Sequence, residues 1–285
     1  VTEDLVRNHE KLNELCHELD SSRPTSMAHV FMLDIHERLV SVPDICSYNL
    51  YYGWYLGEVT DNDRWFDHYH EEFPERIIGL SEFGADANPA YHSVHPEKGD
   101  YTEEYQALYH EHMLKMWSER PYLWAIHVWN MFDFGADGRE EGGKPGQNQK
   151  GLVTFDRQIK KDAFYIYKAY LSNEPFIHLC GKRFVKRPGK ETTIKVYSNQ
   201  PEVSLEVDGK LVETKVGEKV FEFTIPLKEK QTIRVTSGDL FDEINLEQTN
   251  DLLSEYVCPG REVINWFERD DMKIVEGHYS IKDSV

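Results

Sequence analysis

The first 174 residues alternate between short apolar runs and longer segments with a helical repeat. The runs of strand length are residues 25–31, 44–49, 77–80 and 122–129. Apolar side chains at helical spacing occur in residues 2–20, 61–72, 102–119 and 161–171. Short apolar runs without polar alternation are typical of strands that are buried on both faces. The pattern therefore predicts four strand–helix units built on a parallel sheet.

From about residue 176 the pattern changes to an alternation of apolar and polar side chains with period two. The predicted strands are residues 193–197, 202–207, 210–212, 220–225 and 231–236. Asp208 and Gly209 separate the second run from the third, and both tolerate the positive φ angles of a tight hairpin turn. We therefore predict a β-sandwich domain at residues 175–285, after an α/β domain at residues 1–174.

The C-terminal tail has no period that assigns it to an element. The apolar residues beyond position 241 are scattered and include Tyr256, Ile264, Trp266 and Phe267. We therefore treat residues 241–285 as an extension of the sandwich domain.

Charge narrows the classes of partner. The chain has 32 basic and 51 acidic residues and a net charge of −19. This balance argues against nucleic acid or an anionic membrane surface as a partner. No apolar run approaches the roughly 20 residues that span a bilayer, and no signal peptide opens the sequence. We expect a substrate that is neutral or specifically bound, and a homo-oligomer remains an open option.

The four cysteines show no Cys-x-x-Cys spacing. Such cysteines are more typical of buried free thiols in a reducing compartment than of disulfides or a metal site. We therefore predict a cytoplasmic protein that uses neither a metal nor another cofactor.

Glu82 is the leading candidate for chemistry. It follows the apolar run of Ile77, Ile78 and Leu80, so its carboxylate lies at the C-terminal end of a predicted strand. In (β/α)₈ barrels the C-terminal ends of the strands carry the catalytic groups. Gly84 allows a sharp turn that would point the carboxylate to the barrel axis. The alternative is an ordinary acidic residue in a surface loop. A closed barrel needs eight strands, and only four precede the sandwich.

Four segments carry a resemblance to a known family. In chain order they are Tyr48–Tyr55, Ile78–Ala85 around Glu82, Val128–Phe134, and Gly151–Arg157 with Lys161–Tyr165. Together they resemble glycoside hydrolase family 2, which contains β-galactosidases, β-glucuronidases and β-mannosidases. The resemblance implies that residues 1–174 are the C-terminal half of a TIM barrel, strands five to eight. It also implies that the following sandwich is immunoglobulin-like.

The resemblance also implies roles for individual residues. Glu82 would be the nucleophile of a retaining double displacement, and Tyr51 would donate a hydrogen bond to it. Tyr52 is the alternative donor, because a shift of one residue in the comparison would exchange the two. Trp129 would offer a flat apolar face to a sugar, and Asn130 would contact its hydroxyl groups. Packing in the core is the alternative role for these aromatic side chains.

Retaining glycosidases need a second carboxylic acid, which protonates the leaving group. Family 2 takes it from an Asn-Glu pair at the end of the fourth barrel strand. Asn173-Glu174 has the right letters but follows the last helix, and Asn8-His9-Glu10 lies inside the first helix. We therefore expect the acid/base residue to lie upstream of Val1, and we expect this chain alone to be inactive.

Residues 148–150 bear on the identity of the sugar. Asn148 and Lys150 resemble the pair with which β-glucuronidases hold the sugar carboxylate. The preceding loop, residues 137–147, looks more like that of bacterial β-galactosidases, and a glycine-rich loop with incidental charges is the alternative reading. We rank a β-galactoside first as the substrate and a β-glucuronide second. A non-catalytic carbohydrate-binding module is a third option, disfavoured because the predicted sandwich has few aromatic residues.

Overall fold

The structure, a computed structural model, describes residues 1–251, 254–260, 272–275 and 278–281. Its N-terminal part contains four helices and six strands. In chain order these are α1 (Glu3–Leu19), β1 (Ser26–Val30), β2 (Ile45–Asn49), α2 (Asp61–Glu72), β3 (Ile78–Phe83), α3 (Glu103–Ser118), β4 (Leu123–Val128), β5 (Phe134–Gly135), β6 (Gln147–Asn148) and α4 (Asp162–Leu171). The four predicted strands and four predicted helices are therefore all present, with bounds shifted by a few residues at most.

Strands β1 to β4 form a parallel sheet in the order β1-β2-β3-β4. Its centre is apolar, with Ile78, Leu80 and Phe83 of β3 fully buried. Two of the helices begin at a threonine whose side chain accepts a backbone N–H of the first turn: Thr2 at α1 and Thr102 at α3. The sheet aligns the C-terminal ends of its strands at one edge, where Glu82 lies.

Two details of the N-terminal part differ from the prediction. Ile77 is exposed and precedes β3, so the buried run begins at Ile78. The apolar stripe of α1 also faces outwards, since Val6 is the buried residue of that helix. The stripe's exposed members are Leu5, Leu12, Leu15, Cys16 and Leu19. Helical periodicity thus identified the element but not the face that it buries.

The C-terminal part is a sandwich of two sheets. Its strands are β7 (Ile177–Leu179), β8 (Lys186–Pro188), β9 (Glu191–Ser198), β10 (Glu202–Val207), β11 (Lys210–Val216), β12 (Lys219–Pro226), β13 (Lys230–Ser237) and β14 (Leu240–Thr249). One sheet has the order β11-β10-β13-β14-β8 and the other β12-β9-β7. The predicted hairpin joins β10 to β11, with φ angles of 52° at Asp208 and 74° at Gly209. Alternate apolar residues from both sheets form one core.

The tail contains more structure than the sequence predicted. Residues 240–249 form the longest strand of the sandwich, whose Ile244 and Leu246 are buried in the core. Its pattern was missed because Phe241, an apolar residue, lies on the exposed face. Beyond it β15 (Met272–Val275) pairs antiparallel with β16 (His278–Ile281). Ile264, Trp266 and Phe267 lie outside the described residues.

A third apolar cluster joins the two parts of the chain. It packs Leu114 of α3 and Ile166 of α4 against Phe176, Cys180 and Tyr197. Ion pairs add to this contact, including Lys195 Nζ to Glu111 at 2.7 Å. The domain boundary at residue 174 remains a prediction.

The cysteines are free thiols, three of them buried and Cys16 exposed. The cytoplasmic location inferred from them remains a prediction. Within the described residues, no helix combines the length and the apolar character that crossing a membrane requires.

Candidate active site

The Glu82 side chain is held at the end of β3 by its neighbour β2. Asn49 of β2 lies opposite Glu82, and the Leu50 N–H donates to the Glu82 carbonyl at 3.0 Å. The hydroxyl of Ser81 donates to Asn49 Oδ1 at 2.7 Å. These bonds lock the two strand ends together, while the carboxylate of Glu82 stays partly accessible to solvent.

Tyr51 is the hydrogen-bond donor to this carboxylate. Its hydroxyl lies 2.9 Å from Glu82 Oε2. Burial, reinforced by the negative charge of Glu82, raises the pKa of Tyr51 above its ordinary value. The phenol therefore keeps its proton and donates, as a carboxylate that attacks as a nucleophile requires. The donor in the structure is thus Tyr51, the first choice from the sequence, and not the alternative Tyr52.

Gly84 is required for a reason other than the predicted turn. Its φ angle is not in the left-handed region. A Cβ atom built at this position would instead lie 2.2 Å from the carbonyl oxygen of Trp129 and 3.6 Å from Cδ of Lys150. The glycine thus allows the backbone after β4, and the lysine side chain, to approach the Glu82 segment closely.

Trp129 and Asn130 lie beside that segment. The Trp129 N–H donates to the carbonyl of Phe83 at 2.8 Å, and the Asn130 N–H donates to the carbonyl of Lys150 at 3.2 Å. Both side chains are partly exposed. The Asn130 side-chain oxygen accepts from the N–H of Phe132 at 2.8 Å, so its amide nitrogen is the end that a ligand can use.

Lys150 is buried next to the same group of residues. Its Nζ donates to the Tyr55 hydroxyl at 2.7 Å and to a carboxylate oxygen of Asp86. It also lies 5.9 Å from the ring centre of Tyr51, the donor to Glu82. Asn148 is buried and accepts the Lys150 backbone N–H at 3.0 Å. The structure thus brings all six residues selected from the sequence to one region.

A second buried lysine organises the loops that carry these residues. Lys161 Nζ donates to Asp133 Oδ1 at 2.9 Å and to the carbonyls of Ala87 and Gln149 at 2.7 and 2.8 Å. Asp133 Oδ1 also accepts the Gly151 N–H at 2.9 Å. This network ties the segment that follows Glu82 to the segment that contains Asn148 and Lys150.

Three residues of the region were not selected from the sequence: Asp86, Tyr55 and Arg139. Arg139 Nη2 lies 2.7 Å from the Tyr55 hydroxyl, and its Nη1 lies 3.7 Å from Asp86. Burial would raise the pKa of Asp86, but Lys150 and Arg139 hold it below its ordinary value. Two weak signals existed, since Asp86 is four residues after Glu82 and Tyr55 is four residues after Tyr51.

One group of possible metal ligands occurs in the described part of the chain. The ligand atoms of Asp162, His178 and Cys180 lie within 4.8 Å of one another. Asp162 already accepts from His178 Nε2 at 2.8 Å and from the Gly181 N–H at 2.6 Å, and Arg183 lies 3.7 Å away. A metal ion there would face this guanidinium group, so the cluster fits an ion-pair network better than a metal site.

Comparison with known proteins adds a family to this geometry. Residues 4–174 match the model for the TIM barrel domain of glycosyl hydrolases family 2. The chain belongs to this family. Glu82 and Tyr51 both lie within the residues that match this domain.

Three similar proteins each match more than three quarters of this chain. A β-glucuronidase from Bacteroides fragilis is 37% identical in an alignment of 249 positions that covers 79% of this chain and 35% of that protein. The FMN-binding β-glucuronidase of Facaelibacterium prausnitzii L2-6 is 43% identical, with a TM-score of 0.89 over 91% of this chain and 40% of that one. A structure from Bacteroides fragilis, provisionally named a β-galactosidase, is 28% identical, with a TM-score of 0.80 over 86% of this chain and 38% of that one. This chain therefore spans less than half the length of these relatives.

Proposed function

We propose that this chain carries the nucleophile of a retaining β-glucuronidase. Glu82 attacks the anomeric carbon to form a glycosyl-enzyme ester, which water then hydrolyses. The observation that carries the proposal is the 2.9 Å hydrogen bond from Tyr51 to Glu82 next to the buried Lys150. Both the curated relative and the FMN-binding structure are β-glucuronidases. These two relatives support a β-glucuronide as the first choice of substrate and a β-galactoside as the second, which reverses the ranking made from the sequence.

The contacts of Asn148 and Lys150 also support a glucuronide. Lys150 uses two of its three N–H groups on Tyr55 and Asp86, and no oxygen accepts the third among the described residues. Asn148 accepts a backbone N–H through its oxygen, which leaves its amide nitrogen as a donor. A sugar carboxylate would accept from both groups.

A second carboxylic acid has to complete the reaction. Asn173-Glu174 is exposed and lies between α4 and β7 in the structure, away from the strand ends that present catalytic groups. We propose that the acid comes from the part of the family's domain that residues 1–285 do not cover. The chain's 35% and 40% share of the two β-glucuronidases' lengths supports this view. General acid catalysis contributes about 10²- to 10⁴-fold, so this chain alone should be nearly inactive.

β-Galactosidase activity is the second candidate. The loop of residues 137–147 and the likeness to the Bacteroides fragilis structure favour it. On either sugar, the predicted partner is a carbohydrate substrate. We also propose that the sandwich is immunoglobulin-like, on the basis of the family resemblance.

Flavin binding is a further candidate, favoured by the FMN-binding relative. A cavity of about 730 Å³ lies where the barrel part meets the sandwich, with Val94, Phe184 and Arg187 in its wall. The Arg187 guanidinium is buried and donates to neutral oxygens, and no carboxylate forms an ion pair with it among the described residues. The size of the cavity and the Arg187 cation would suit a flat ring with a phosphate, whereas the acidic residues in the same wall, Glu104, Asp162, Glu191 and Glu222, would repel a phosphate. Quenching of FMN fluorescence on titration with the protein tests this candidate.

The test of the main proposal compares two substrates and two proteins. Nitrophenyl β-D-glucuronide and β-D-galactoside are assayed with this chain and with the natural full-length protein, meaning the chain together with any residues that flank it. We expect the full-length protein to prefer the glucuronide and this chain to be slower on both. A preference for the galactoside would favour the second candidate, and equal rates for the two proteins would contradict the proposed origin of the acid.

A further inference from the structure

The cluster around Tyr55 has more hydrogen-bond donors than acceptors. Lys150 Nζ and Arg139 Nη2 each lie 2.7 Å from the Tyr55 hydroxyl oxygen. Since this oxygen accepts twice, the Tyr55 O–H must itself donate, and it has no acceptor among the described residues. The amide nitrogen of Asn148 is likewise a donor that has no acceptor among the described residues. A site with unused donors and two cations at one point is suited to a ligand that only accepts, such as a carboxylate.

Four charged groups in this cluster balance one another. Lys150 pairs with Asp86, and Arg139 Nη1 pairs with Glu141 Oε1 at 2.7 Å. The side chains of Lys150, Asp86 and Glu141 are 1%, 2% and 8% exposed, whereas that of Arg139 is 20% exposed. Lys150 and Asp86 therefore form the deeper pair, and Arg139 is the more exposed of the two cations.

The cluster also borders the nucleophile. The Tyr51 ring lies 5.2 Å from the Tyr55 ring, centre to centre, and the Tyr51 hydroxyl donates to Glu82. Arg139 comes from the loop between β5 and β6, and this loop reaches the site through the Tyr55 hydroxyl. Two neighbouring tyrosines thus connect the cations to the proposed nucleophile: Tyr55 contacts Lys150 and Arg139, and Tyr51 contacts Glu82.

We propose that Arg139 is a second cation for the carboxylate of an acidic sugar, and that Glu141 sets how strongly it acts. The inference rests on the proposed β-glucuronidase function and adds a specificity-determining residue to Asn148 and Lys150. A guanidinium group presents a planar fork that matches a carboxylate, which a lysine ammonium does not. Because a neutral sugar gains nothing from an extra cation, the effect of Arg139 is confined to the acidic substrate.

The charge balance gives two variants with opposite effects. Arg139→Gln leaves the cluster with a net negative charge, and Glu141→Gln leaves it with a net positive charge. In the natural full-length protein, we expect Arg139→Gln to raise KM for the nitrophenyl glucuronide about tenfold or more, since a charge-assisted hydrogen bond is lost. Glu141→Gln should lower it. KM for the galactoside should change by less than about twofold in both variants.

Two further variants serve as controls. Glu140→Gln removes the same charge from the neighbouring exposed residue and should leave both KM values unchanged. Arg139→Lys keeps the charge and should restore part of the affinity for the glucuronide, which separates loss of a cation from loss of folding. Melting temperatures of all variants are measured in parallel.

The outcomes separate this inference from the function on which it rests. Equal changes in KM for both sugars, or equal effects of Glu141→Gln and Glu140→Gln, would overturn the role of Arg139 and leave the β-glucuronidase proposal intact. A wild-type protein that hydrolyses the galactoside and not the glucuronide would overturn both.

Discussion

The Tyr51 hydroxyl donates a hydrogen bond to the Glu82 carboxylate over 2.9 Å, which couples the end of β2 to the end of β3. The bond fixes the position of the Glu82 carboxylate at the end of β3, where the proposed mechanism requires it.

Replacement of Tyr51 by phenylalanine removes this bond and keeps the ring. A hydrogen bond to a charged group contributes about 1.5–3 kcal/mol, so we expect kcat/KM to fall roughly 10- to 100-fold. Steady-state kinetics of the full-length protein measure this loss.

Tyr52→Phe is the matched control, since it makes the same change one residue away. It should leave kcat/KM within about twofold of the wild-type value, because Tyr51 is the residue that donates to Glu82. If Tyr52→Phe lowered kcat/KM and Tyr51→Phe did not, the assignment of the donor would be wrong.

A methyl group at Gly84 should disturb the site without removing any of its polar side chains. The added Cβ meets the Trp129 carbonyl oxygen at 2.2 Å, which forces the backbone after β4 to move. Overpacking of this kind typically costs about 1–3 kcal/mol. We expect Gly84→Ala to lower both the melting temperature and kcat/KM.

Gly135→Ala provides the control for that substitution. A Cβ at position 135 has no neighbour within 4 Å, and its φ angle is not in the left-handed region. Its melting temperature should match that of the wild type. Equal losses in the two alanine variants would contradict the steric account of Gly84.

Stability should decline on the acid side partly because of His110. Burial lowers the pKa of this histidine from 6.5 to about 3 in the folded protein. Below pH 6.5 the unfolded chain binds a proton at this residue that the folded protein does not bind, so unfolding becomes more favourable as the pH falls towards 3. Replacement by glutamine removes the titration, and the melting temperature of His110→Gln should fall less steeply between pH 6.5 and 4. His127→Gln, at an exposed position, should retain the wild-type slope.

Much of the site could be predicted because its residues lie within short sequence segments. Glu82 lies near the end of β3, and Tyr51 follows the end of β2 by two residues, so the parallel sheet alone brings them together. Arg139 has no such signal, and it is far from Asp86 along the sequence. They are separated by 53 positions and meet only because the loop between β5 and β6 folds back over the segment after β3. Periodicity does not encode that path.

Faces were harder to predict than elements. The apolar stripe of α1 predicted the helix correctly, yet its leucines are exposed and Val6 is buried. In β14, Phe241 is exposed while Ile244 and Leu246 fill the core, which obscured the period of two. In both elements the neighbours in space, rather than local spacing, decide which side is buried.

The central claim is that Glu82 is the nucleophile, and covalent trapping tests it most directly. The natural full-length protein is treated with a 2-deoxy-2-fluoro glucuronyl fluoride, which slows hydrolysis of the glycosyl-enzyme ester, and is then digested and analysed by mass spectrometry. We predict that the label lies on the peptide that contains Glu82, and that Glu82→Gln abolishes it. A label on a peptide that lacks Glu82 would contradict the account.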